Sequence, residues 1–118
     1  MDTATRIFSI ADYIRPSDGE PLRSVVLQTD EAAIVVWHVA PGQEIAAHVH
    51  PHGQDTWTVI AGAAEYYKGG GAVARLQAGE IAVAKPGQVH GAKNASAEPF
   101  IFVSVVASGN AGYELAEK

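Results

Sequence analysis

Hydrophobic and polar positions alternate over short distances along the chain, and turn residues break the pattern at even intervals. Thr29–Asp30, Pro41–Gly42, Pro51–Gly53, Ala61–Gly62, Gly69–Gly71, Ala78–Gly79 and Pro86–Gly87 separate segments five to eight residues long, rich in Val, Ile, Tyr, Trp and Thr. That rhythm predicts many short antiparallel strands closing into a sandwich or barrel. The strands are expected at 23–28, 33–40, 44–50, 55–61, 63–68, 72–77, 80–84, 88–94 and 99–106. Glycines 69–71 form the clearest hairpin loop, because glycine takes positive φ without a steric penalty. The segment AAIVVWHV is apolar on both faces, so one face is expected to line the barrel and the other to pack on a second sheet or subunit. No window outside the ends is long and periodic enough for a substantial helix. Ser9 before IADYI predicts one short helical turn, and the tail GNAGYELAEK reads as a loose end or an arm packing on a neighbour.

Composition narrows the chemistry. The chain has 118 residues, one domain's worth, and 47% are hydrophobic, enough for a single core. A formal net charge of -5 with no run of Lys or Arg excludes phosphate backbones and anionic lipid surfaces as main partners. No cysteine is present, which removes disulfides, thiolate nucleophiles and Cys-based metal sites. The start lacks a basic segment followed by an apolar one, and Ala32–Ala40 is too short for a membrane span, so a cytoplasmic protein is expected.

The histidines carry the candidate chemistry. Three of the five, His48, His50 and His52, fall within AAHVHPHGQD. On a strand, residues two apart share a face with Cα atoms ~6.6–6.8 Å apart, so His48 and His50 point the same way and can share a cation. A carboxylate and one more histidine would complete three or four ligands, and Asp55, beyond the turn, and His90, far along the chain, are candidates by type and place. His52 reads as a rim residue and His38 as a core or interface histidine.

Their setting resembles the two motifs of the cupin superfamily, G(x)5HxH(x)3–4E(x)6G and G(x)5PxG(x)2H(x)3N. Here Gly42, His48, His50, Asp55 and Gly62 answer the first motif, and Gly79, Gly87, His90 and Asn94 the second. Asp55 stands at the glutamate position and Lys85 at the proline position, with Pro86 one residue later. Asp55 leaves the six residues before Gly62, and Gln54 is the alternative in the shorter register. The resemblance implies an all-β, single-domain antiparallel barrel, a double-stranded β-helix or jelly roll. Its core would span about 33–106, with an N-terminal arm 1–22 and a C-terminal tail 107–118. It also implies one divalent metal ion (Fe, Mn, Zn, Ni or Cu) held by His48, His50, Asp55 and His90.

If Asp55 points inward, so do Trp57 and Val59. Val83 with Ile81 is preferred over the neighbouring alanines, and Phe102 shares a face with Phe100 and Ser104, so Trp57, Val59, Val83 and Phe102 are the expected pocket residues. No Arg or Lys falls inward on the ligand strands, and no carboxylate or phosphate clamp is evident. Tyr66 and Tyr67 offer one phenol to either face and read as packing residues. The expected function is a metal-dependent enzyme (dioxygenase, isomerase or hydrolase) acting on a small, mostly apolar or aromatic molecule. The alternative is a non-catalytic binding or sensor barrel, and a barrel with a decayed metal site is a third reading. Exposed edges and the doubly apolar strand predict a homodimer, with the N-terminal strand or the tail as an exchanged arm.

Overall fold

The computed structural model describes residues 5–118. After a single 3-10 turn at Ile10–Tyr13 come ten strands: β1 Ser24–Gln28, β2 Ala33–Val39, β3 Glu44–Val49, β4 Gln54–Ala61, β5 Ala63–Gly69, β6 Ala72–Gln77, β7 Ile81–Ala84, β8 His90–Lys93, β9 Phe100–Ala107 and β10 Glu114–Leu115. Each of the nine expected strands is there, with ends within two residues. The helical turn also forms, but the Ser9 side chain makes no capping bond.

The strands build two five-stranded antiparallel sheets, β1-β2-β9-β4-β7 and β10-β3-β8-β5-β6, the all-β jelly roll expected. Between them Trp57 stacks on Phe102 with ring centroids 4.0 Å apart, and meets Tyr66 edge to face at 5.2 Å. Val39, Val59, Leu76 and Phe100 complete this apolar centre. Aromatic pairs at such offsets add to the area that each ring removes from water.

β2 is buried on both faces within this one chain. Val35 and Val39 turn inward, and Val36 and His38 on the other face are also buried. Gln43 ties the N-terminal arm down near the strand's end, accepting from Ala40 N and donating to the carbonyls of Ser17 and Gly19.

β7 corrects one expectation. Its register with β4 sets Ala82 opposite Trp57 and Ala84 opposite Asp55, while Val83 faces Thr56 and Ile81 faces Thr58. Directly opposed residues share a face. The alanines therefore turn inward, where the Trp57 ring leaves room only for small side chains, and Ile81 and Val83 are exposed. Residue size is no guide to direction on an edge strand.

Two further features position the site. Gly62 has φ +78°, and a Cβ there would lie 2.1 Å from Pro99 O, so only glycine fits between β4 and β5. Asn94, with no exposed surface, donates from Nδ2 to Val39 O (2.9 Å) and Glu98 O (2.8 Å). Its Oδ1 accepts from Ser96 N and Oγ. Its backbone bonds with Gly42 and Gln43 tie the end of β8 to the turn before β3.

Candidate metal centre

β3 and β8 are neighbours, and their register sets His48 directly opposite His90. His50 follows the end of β3, and Asp55 enters from β4 on the facing sheet. Four donor atoms, one each from His48, His50, Asp55 and His90, lie within 4.8 Å of one another. Asp55 Oδ2 is 3.0 Å from His90 Nε2 and 3.4 Å from His50 Nε2. Bonds of ~2.0–2.1 Å to a tetrahedrally held ion put donor atoms about 3.3–3.4 Å apart, so the two Asp55 contacts lie near the spacing of a metal cage.

The ring orientations fit the same purpose. His48 Nδ1 donates to Ala46 O (2.8 Å), His50 Nδ1 to Gly112 O (2.6 Å) and His90 Nδ1 to Gln88 O (3.0 Å). A carbonyl only accepts, so each Nδ1 carries its hydrogen and each Nε2 is left turned toward the centre, where a ring that gives up its Nε2 proton offers a lone pair to an ion. This is the arrangement in which a backbone carbonyl orients a ligating histidine. Ser104 Oγ donates to Asp55 Oδ1 (2.6 Å), leaving Oδ2 for the centre.

The charges agree with the geometry. Burial, joined by the neighbouring His90, pulls His48 down to about 4, so its ring is neutral at physiological pH. Burial pushes Asp55 up, but hydrogen bonds from His50, His90 and Ser104 outweigh it and hold the carboxyl well below its usual range. Burial lowers His50, and the hydrogen bonds to Asp55 and the Gly112 carbonyl reverse the direction, leaving it raised. An ionised carboxylate among imidazoles is a donor set for Fe, Mn, Zn, Ni or Cu.

A cavity of about 500 Å³ opens beside this cluster, walled by Trp37, Trp57, Val35 and Val106 and carrying Arg23 and Tyr113. Of the expected pocket residues Trp57 lines it. Val59 and Phe102 are buried in the core but are not part of its wall, and Val83 is on the outside. Gln54 is exposed, on the opposite face of β4 from Asp55, as the period of two requires. His52 is exposed on its turn. His38 is buried outside the cluster, its Nδ1 without a hydrogen-bond partner. Tyr66 packs in the core, pushed up to about 12 by burial and by the charge of Asp55, and Tyr67 bonds to Glu44.

The tail is part of the site. β10 pairs with β3 through Leu115 and His48, and Ala111 O accepts from His52 N. Gly53 lies so close beneath that a Cβ would sit 2.2 Å from Ala111 Cβ. This return brings the Gly112 carbonyl to His50 and sets the Tyr113 ring 4.9 Å from His48. Arg23, Gly112 and Tyr113 were not legible in the sequence. They lie outside the spaced motifs, and only the pairing of the chain's two ends onto the barrel brings them in.

Comparison with known proteins agrees with this geometry. The cupin domain family matches residues 35–106. A double-stranded β-helix protein from Klebsiella pneumoniae is 70% identical, with a TM-score of 0.95 over 98% of this chain and 100% of that one. TT1209 of Thermus thermophilus is 25% identical, with a TM-score of 0.82 over 88% of this chain and 98% of that one. An RmlC-like cupin from Desulfovibrio desulfuricans shares the fold at 22% identity, with a TM-score of 0.77 over 88% and 97%. No curated protein matches the sequence. With its double-sheet barrel, its converging histidines and a family match across most of its strands, this chain belongs to the cupin family.

Proposed function

We propose that this cupin holds one divalent metal ion through His48, His50, Asp55 and His90, and uses it on a small, largely apolar or aromatic molecule bound in the adjoining cavity. The observation that carries the reading is the orientation of three Nε2 atoms by three backbone carbonyls toward one buried carboxylate. An ion bound there supplies a Lewis acid for oxygen donors, or a site for dioxygen, with iron, manganese, zinc, nickel and copper as the candidates. The chain itself supplies the rest. Ser104 holds Asp55 ionised, Trp37 and Trp57 line the cavity, and the Tyr113 phenol stands at the rim where it can hydrogen-bond to a substrate. Dioxygenase, isomerase and hydrolase chemistry all suit such a site.

One feature favours the second reading, a non-catalytic binding or sensor barrel. Apart from the four ligands, no carboxylate or histidine among the described residues lines the cavity to serve as a general base. Metal content of untagged protein, purified without a nickel column and measured by mass spectrometry, tests the proposal. Near one equivalent in the wild type and loss in His50→Ala are expected. No metal in either protein after reconstitution refutes the ligand assignment. Turnover lost in His48→Ala would favour the enzyme, and ligand-induced stabilisation without product the sensor.

We also propose that the protein is a homodimer. The exposed Leu27 on β1 and Ile81 and Val83 on β7, at the two opposite edges of one sheet, are the apolar side chains a second copy would cover. A single 12 kDa species in sedimentation at micromolar concentration would exclude it. Among the described residues, no helix is long and apolar enough to cross a membrane.

A further inference from the structure

The cavity wall holds one side chain of permanent positive charge. Arg23, immediately before β1, lines the same space as His48, His50, Asp55 and both tryptophans. Among the described residues no carboxylate lies within ion-pair distance of it. Arg23 is exposed, and no ion pair among these residues holds its guanidinium away from the cavity it lines. The electrostatic sum points the same way. Three neutral imidazoles and one carboxylate would leave a bound divalent ion with a net single positive charge, to which Arg23 would add a second. Low-dielectric walls of Val35, Trp37 and Val106 strengthen that field for anything that enters.

We propose that Arg23 is a specificity-determining residue that selects a ligand bearing a carboxylate, whose apolar or aromatic body lies against Trp37 and Trp57. The inference rests on the reading of the cavity as the ligand site beside a metal centre. It narrows the ligand from any small apolar molecule to an organic acid. A planar guanidinium matches a carboxylate with two parallel hydrogen bonds, which a lysine at the same place cannot reproduce. A cavity of about 500 Å³ suits a molecule with one ring and a short acidic side chain.

The test uses the full-length protein and two isosteric probes, 3-phenylpropionate and its neutral amide, with binding followed by isothermal titration calorimetry. The comparison covers wild type, Arg23→Gln, Arg23→Lys and His50→Ala, each as purified and after EDTA treatment. The acid should bind the wild type about ten- to a hundredfold more tightly than the amide, the worth of a charge-assisted hydrogen bond. Arg23→Gln should abolish that preference and Arg23→Lys should keep only part of it. The preference should weaken as salt rises, because the cavity opens to solvent.

The two readings fail differently. A preference that survives EDTA and His50→Ala but disappears in Arg23→Gln supports the arginine even where the metal reading fails. A preference lost with EDTA yet unchanged in Arg23→Gln belongs to the metal and overturns the assignment of Arg23. Equal binding of acid and amide, or no binding of the acid up to millimolar concentration, overturns it as well.

Discussion

Replacing Asn94 with aspartate changes one amide to a carboxyl of the same shape, and the structure fixes the size of the response. The side chain is fully buried, with two donated hydrogen bonds, to Val39 O and Glu98 O, and two accepted from Ser96. Asn94→Ala removes all four. At about 0.5–1.5 kcal/mol each the loss spans ~2–6 kcal/mol. Water can reach the partly exposed ends at Ser96 and Glu98, so about 3 kcal/mol is expected. Asn94→Asp keeps the two bonds from Ser96 but turns an acceptor oxygen toward two carbonyl oxygens at 2.8 and 2.9 Å. An ionised carboxylate there has no cation to pair with, and its burial adds to the repulsion. At pH 7 the aspartate variant should therefore be at least as unstable as the alanine variant.

The sign with pH is opposite to that of an ordinary aspartate. This carboxyl would have its pKa raised in the folded state, so the unfolded chain releases its proton first as pH rises. The deficit relative to wild type should shrink between pH 7 and pH 5, when a protonated carboxyl can again donate to Val39 O. Urea unfolding at both pH values measures it, with the slope m checked for constancy. Unfolding entropy of about 2.1 cal/mol/K per residue over 118 residues gives ~0.25 kcal/mol/K, so 3 kcal/mol is a drop of about 12 °C in Tm. Asn94→Asp within ~0.5 kcal/mol of wild type at pH 7, or a deficit that grows on acidification, refutes the reasoning.

The remaining predictions concern the site. Ser104→Ala removes the donor on Asp55 Oδ1 and should weaken metal binding about tenfold in chelator competition, with the fold unchanged by circular dichroism. Gly53→Ala places a methyl 2.2 Å from Ala111 Cβ, so the strand-like return of the tail must shift and His50 loses the Gly112 carbonyl. Weaker metal binding and faster proteolysis of the C-terminal tail are expected, and wild-type values for both would exclude this role for the tail. Acid should release the metal, since protons compete for the imidazoles. His50, raised, is protonated before His48, which is held at about 4, so affinity should begin to fall near neutrality, and a flat affinity from pH 8 to pH 5 would contradict the site. In metal-free protein the neutral His48 contributes stability above its unfolded pKa of about 6.5 that is lost as pH falls through about 4, and comparison with His48→Gln at each pH isolates that contribution.

The sequence by itself determined the strands and the ligand types. Short alternating segments punctuated by Gly and Pro can only be read as strands and turns, because those residues fix local φ and break ladders wherever they stand. HVH set two imidazoles on one side by the period of two, and the spacing to Asp55 and His90 marked their partners. Tertiary structure alone decided the rest. Register placed His48 opposite His90 and turned Val83 outward, because which face of an edge strand is buried depends on the bulk opposite, here Trp57 against Ala82. Arg23 and Tyr113 lie 90 positions apart in sequence, and they meet one cavity only because β1 pairs with β2 and the tail folds back on β3. Such long-range pairing is a property of the closed barrel, in which each strand finds its neighbour by burying a shared face, and no local pattern in the chain encodes it.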